Sequence, residues 1–186
     1  SNNECKQIDE LVEKTLTNYD GVIISDYDKG VCSNSFSKLI IDKANNSNIP
    51  IFVDPKGKNW SKYSGATYIT PNIKEIEEIG NFRLKNNKDF EVAGKKILEK
   101  YNIENCLITR GKDGMAMISN SDMYYLSSKV KEVFDVSGAG DTVIACLAAA
   151  ILSGVDKKNA VKFSNKAAGI VVGHIGTTAI TKKELL

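Results

Sequence analysis

Short apolar runs alternate along this chain with longer stretches in which apolar residues recur every three or four positions, the pattern of strands interleaved with helices. GVIISDY (21–27) has the length and composition of a buried strand, and residues 33–46 carry Phe36, Leu39, Ile40 and Ala44 at helical spacing. PIFVDP (50–55) and TYITP (67–71) are the next two strands; helices fit 73–79 and 89–100, the second after the polar break KNNK, and 105–109 is a further strand. From Gly114 the period changes: MAMIS, a polar NSD turn and MYYLSS predict an antiparallel hairpin at a sheet edge. KVKEVF (129–134) has the look of a short strand, and helices over 141–152 and 157–172 close the chain. Parallel strands need crossovers that cover the sheet, so the prediction is an α/β domain with a mostly parallel sheet clothed in helices. No repeat, low-complexity tract or linker divides residues 1–186, which are expected to form one unit.

Composition narrows the partners. The 186 residues are 42% hydrophobic, enough for one domain with a substantial core. Lys plus Arg number 25 against 23 Asp plus Glu, interspersed along the chain, which gives no electrostatic footprint for nucleic acid or an anionic membrane. No apolar run approaches the roughly 18 residues of a membrane span, and no signal peptide opens the chain, so a soluble, cytoplasmic protein is expected. Cys5, Cys32, Cys106 and Cys146 lie far apart with no CxxC pair, as reduced thiols would. The single histidine, His174, cannot support a metal site or a Ser/His/Asp triad unaided and is expected at a surface or helix end.

The densest chemistry lies in DVSGAGDT (135–142), a glycine-hinged turn running into an Ala-rich helix. Glycines there let backbone N–H groups crowd onto an anion at the positive end of a helix dipole. Asp141 would stand beside that anion, where a carboxylate makes sense as the acceptor of a proton from an attacking hydroxyl. The competing reading is a tight strand-to-helix turn with an acid in the first helical turn, common in proteins that bind nothing. A dinucleotide fingerprint fits poorly, because Val143 stands where its third glycine would be, and no Gly-Lys-Ser/Thr follows to make a Walker A loop.

A second cluster comes from strand ends. In an open α/β sheet, ligands bind beyond the carboxyl ends of the strands. Asp26, Asp54, Lys56, Asn72, Thr109 and Arg110 all fall there, from four separate strands.

DVSGAGDT resembles the C-terminal signature of the ribokinase-like (phosphofructokinase B) carbohydrate kinases. SDYDKG (25–30), the run 52–77 with its DPKG and TPNIKEIE, LITRGKDGM (107–115) and NKAAGIVVGHIGTTAIT (165–181) follow in the same order as in the branch of that family acting on D-glycero-D-manno-heptose 7-phosphate. The resemblance covers essentially the whole chain. It implies a three-layer αβα sandwich, ATP and Mg2+ as cofactors, a phosphorylated sugar as substrate, and a homodimeric full-length protein. It also implies a preceding strand-rich segment with sugar-binding glycines and a lid. Nothing before Ser25 resembles that segment, so the chain is expected to be the C-terminal, nucleotide-binding portion of such a kinase, with Ser1 and Asn2 as a cloning remnant.

Roles follow from the same resemblance. Asp141 would be the base and Gly138, Ala139 and Gly140 the anion hole. Asn72, Ile73, Lys74 and Glu75 match the N-x-x-E stretch that organises Mg2+ and nucleotide phosphates, Glu75 through water; from spacing alone they are equally a capping box. Thr109, Arg110, Gly111 and Gly114 would run along the nucleotide, or simply form a Gly-rich turn. Asn165 would touch base or ribose, unless its helix face only packs. Asp26 and Lys56 are candidates at the substrate, with a solvated loop lysine the alternative for Lys56. A kinase for another sugar phosphate, or a nucleotide-binding module without catalysis, remains open on these residues.

Overall fold

The computed structural model describes residues 2–128 and 135–185, so the expected strand at 129–134 lies outside the described residues. In chain order the elements are α1 (Asn2–Thr15), β1 (Val22–Ser25), α2 (Asn34–Asn46), β2 (Ile51–Asp54), β3 (Tyr68–Ile69), α3 (Ile73–Gly80), α4 (Asn87–Tyr101), β4 (Asn105–Thr109), β5 (Met115–Ser119), β6 (Met123–Leu126), α5 (Ala139–Leu152), α6 (Lys157–Val171) and α7 (Lys182–Leu185). Among the described residues six strands form one sheet in sequential order. β1 to β4 pair in parallel, and β4–β5–β6 are antiparallel, which is the expected edge hairpin.

Side chains that alternate along a strand point to opposite faces, and across β2 to β5 both faces are buried. The expectation of a buried strand at 21–27 fails for β1, which lies at the sheet edge with Ile23 47% exposed because, among the described residues, only β2 pairs with it. Ile51 and Val53 of β2, with Ile24, Ile69, Cys106 and Ile108, pack with residues of α2, α3 and α4 such as Ile41, Ile76, Phe90 and Ile97. Phe52, Tyr68, Leu107 and Met117 face the other way and meet Val143, Ile144 and Leu147 of α5 and Val161 of α6. The result is a three-layer αβα sandwich.

Three further departures from the sequence pattern have physical causes. β3 is two residues long rather than five because Pro71 has no N–H for the ladder; pairing resumes one residue later as an isolated bridge between Asn72 and Thr109. α4 begins inside the supposed break, since the Asn86 side chain accepts from the Asp89 amide and Asp89 returns the contact as a capping box. α1 was not expected, and its stripe is weak: Leu16 just beyond it is buried, but Ile8 and Leu11 remain 45% and 60% exposed. Among the described residues, no helix is long and apolar enough to cross a membrane.

Candidate active site

The turn into α5 is built on Gly138, whose φ of 77° lies in the left-handed region that a side chain disfavours. The Thr142 amide and hydroxyl both donate to the Gly138 carbonyl at 2.9 Å, which starts the helix. Asp135 anchors the loop, accepting from the Ser137 amide at 2.9 Å and the Gly176 amide at 3.1 Å. Of the three residues expected to form an anion hole, Ala139 spends its amide on the Val136 carbonyl at 3.2 Å. Gly140 and Asp141 occupy the next two positions, where helical geometry provides N–H groups with no carbonyl to meet.

Asp141 is exposed and sits over the carboxyl ends of β1 and β2. Tyr27 donates its phenolic hydrogen towards both carboxylate oxygens, at 2.9 and 2.7 Å, and Ser25 donates its hydroxyl at 3.2 Å. A side chain on Gly140 would come within 3.8 Å of the Asp54 carboxylate, which shows how closely the start of α5 approaches the end of β2. Burial, with Glu75 and Asp141 adding like charge, pushes the Asp54 carboxyl up to about 7, against partial relief from Lys56 and a hydrogen bond from Thr70.

Asn72 caps α3: its side chain accepts from the Glu75 amide at 3.0 Å, and Glu75 accepts from the Asn72 amide at 2.9 Å. The second Glu75 oxygen takes Lys56 Nζ at 2.7 Å, so Lys56 lies on this rim with its ammonium held by Glu75. Ile73 packs against the core, while Lys74 is exposed. Thr109 joins the group through its bridge to Asn72. The structure therefore brings together Asp54, Lys56, Asn72, Glu75, Thr109, Gly140 and Asp141.

Three expected residues have other partners. Asp26 is only 4% exposed, and its carboxylate is engaged by Lys62 Nζ at 2.5 Å, the Tyr63 hydroxyl at 2.5 Å and the Asp28 amide at 2.7 Å. Burial alone would raise its carboxyl; these hydrogen bonds outweigh that and hold it below the usual value. A cleft of about 300 Å³ opens beside it, lined in part by Cys32, Asn34, Lys56, Lys58 and Asn59. Arg110 is stacked between the Phe90 and Tyr125 rings at 5.1 and 5.5 Å, with its guanidinium donating to the Asp113 carbonyl. Asn165 donates to the Ser127 carbonyl at 3.0 Å and so ties α6 to the end of the hairpin.

Gly111 and Gly114 both have positive φ and shape the turn between β4 and β5. At Gly114 a side chain would also collide with the Leu126 carbonyl, 1.9 Å away. Sequence reasoning missed Ser25 and Tyr27 as partners of Asp141. They lie 116 and 114 residues from it, and only their place at the end of β1 could have pointed to them.

Chemically, the rim offers an exposed carboxylate at a helix N-terminus, amides beside it, and a surplus of negative charge. No group of three metal-ligating side chains is assembled among the described residues. The carboxylates of Asp54, Glu75 and Asp141 nevertheless lie near one another with Lys56 as partial relief, a donor set that suits a divalent cation held through one or two carboxylates while its remaining positions go to water and phosphate.

The profile of the pfkB family carbohydrate kinases matches residues 1–184. The chain is 39% identical over 190 residues to the bifunctional protein HldE of Nitratiruptor sp., covering 98% of this chain and 40% of that protein. It is 44% identical over 177 residues to HldE of Pseudomonas entomophila, covering 95% and 37%. Phosphofructokinase-2 from Escherichia coli, solved with potassium, superposes with a TM-score of 0.84 at 18% identity, over 98% of this chain and 60% of that one. Arabidopsis thaliana ribokinase, complexed with ribose and ATP, gives 0.78 at 19% identity, over 88% and 53%. At such identities the structural likeness is one of fold. The chain spans well under half the length of these HldE proteins.

Proposed function

The chain belongs to the pfkB family of carbohydrate kinases, and from that premise we propose that residues 1–186 are the nucleotide-binding and catalytic portion of an ATP-dependent sugar kinase. The substrate in this reading is D-glycero-beta-D-manno-heptose 7-phosphate, phosphorylated at its anomeric hydroxyl to the 1,7-bisphosphate that feeds ADP-heptose synthesis. The identity to HldE proteins, with the DPKG and N-x-x-E stretches, supports this choice of sugar. A cytoplasmic setting goes with it, in keeping with the free thiols of Cys32, Cys106 and Cys146. A homodimer is the expected assembly of the complete protein.

One observation carries the proposal: the Asp141 carboxylate stands in the first turn of α5, above the ends of β1 and β2. The acceptor hydroxyl would give its proton to Asp141 as its oxygen bonds to the γ-phosphorus and the bond to the ADP oxygen breaks. The amides of Gly140 and Asp141, at the positive end of the α5 dipole, face the charge on the transferred group. Glu75, through water, and Asp54 would hold Mg2+, which when bound neutralises phosphate charge. Asn72 fixes Glu75 through the capping box, and Lys56 balances its charge.

The test is ADP release by the protein from the complete reading frame, with MgATP and a panel of sugar phosphates. The heptose 7-phosphate should exceed fructose 6-phosphate in kcat/KM by about 100-fold or more. A larger value for another sugar phosphate would reassign the substrate, and no sugar-dependent ADP release would reject the kinase.

A further inference from the structure

Tyr27 has no part in the mechanism above, yet it makes the shortest contacts to the base. Its hydroxyl lies 2.9 and 2.7 Å from the two Asp141 oxygens, so its one phenolic proton is shared between them, and Ser25 adds a second donor to one of the two. The side chain is 60% exposed, so no core packing fixes the ring in place. The backbone leading away from it is irregular, with Asp28 and Gly30 at positive φ and Asp26 pinning the Asp28 amide.

A general base acts only when a lone pair is open to the hydroxyl it deprotonates. In this arrangement a hydroxyl that reaches Asp141 meets a carboxylate whose charge is already partly taken up by the phenol and by Ser25, and the phenol's hold on both oxygens weakens the base. A sugar phosphate brings binding energy from its other contacts and can displace a neutral phenol held there by its bond to the carboxylate. Water brings none.

Resting on the assignment of Asp141 as base, we propose that Tyr27 is a specificity-determining residue: it caps Asp141 until the sugar phosphate displaces it, and so denies the base to water. The reaction it suppresses is hydrolysis of ATP. There the oxygen of water would bond to the γ-phosphorus, the bond to the ADP oxygen would break, and the proton of water would pass to Asp141. The hydrogen bond to Asp141 raises the phenol above its usual pKa, so Tyr27 stays protonated and remains a donor.

The experiment uses the full-length protein and its Tyr27→Phe variant, which keeps the ring and removes the capping proton. ADP release is measured with MgATP alone and with saturating sugar phosphate. The ratio of sugar-independent to sugar-dependent turnover should rise about 10-fold in Tyr27→Phe, with a lower KM for the sugar, and the gain should vanish when Asp141→Asn is added. An unchanged ratio with a reduced kcat would make Tyr27 a positioning residue and overturn the proposal; so would a gain that survives in the double variant. If the wild-type protein releases no ADP in response to sugar, the kinase reading fails first and takes this one with it. An unchanged ratio beside normal wild-type turnover rejects the capping role alone.

Discussion

Asp26 and Asp54 are neighbours at the ends of adjacent parallel strands, close enough that the Asp26 amide donates to the Asp54 carbonyl at 3.1 Å. Their carboxylates live in opposite surroundings. Asp26 is closed by a cation and a phenol, the Lys62 and Tyr63 side chains, and its carboxyl is held low. Asp54 is also largely withdrawn from water, and burial first, with Glu75 and Asp141 adding like charge, pushes its carboxyl up to about 7. Burial is common to both, so burial alone does not set the direction of the shift. The difference is the counter-charge the fold supplies: Lys62 and Tyr63 meet the Asp26 carboxylate directly, while Lys56 relieves Asp54 only in part.

That contrast can be broken most forcefully at Asp26. Replacing it by Ala leaves Lys62, 9% exposed, as a buried charge without its partner. Removing one member of a buried pair costs about 3–5 kcal/mol, so urea denaturation should show a loss of that order. A loss below about 1 kcal/mol would mean that Asp26 is not the keystone of its cluster and return it to the list of ligand-binding residues.

Asp54→Asn should act in the opposite direction. The folded carboxyl titrates at about 7 against 3.8 for the unfolded chain, so folding favours the protonated form. The stability this group supplies is fully present below the unfolded value and is lost as pH rises through 7. The advantage of Asn over Asp should therefore be near zero at about pH 4 and grow to about 2–4 kcal/mol by about pH 8, measured without nucleotide or Mg2+. A gain independent of pH would show that Asp54 carries no excess negative charge.

How much of this was legible beforehand depends on how local the cause is. The unbroken apolar run Ile51, Phe52 and Val53 announced a strand, and Asn72 with Glu75 announced a capped helix, because both signals span a few residues. Pro71 cut β3 short through its missing N–H, which was readable but not weighed. The start of α4 was obscured because Asn86 looks like loop and acts as a cap. Arg110 follows β4 as expected, but its stacking against two aromatic rings was not readable from the chain, because Phe90 lies on α4 and Tyr125 on β6. The partners of Asp141 were beyond any spacing argument, since chain topology alone carries Ser25 and Tyr27 to the head of α5.

The central claim is that Asp141 accepts the proton of the attacking hydroxyl, and the Asp141→Asn variant of the complete protein tests it directly. Asn keeps the size of the side chain, and the exposed position on a helix capped by Gly138 leaves little packing to disturb. Turnover with sugar phosphate should fall by about 10²-fold or more, while ATP affinity and melting temperature stay almost unchanged. Near-normal turnover with nucleotide binding intact would contradict the account.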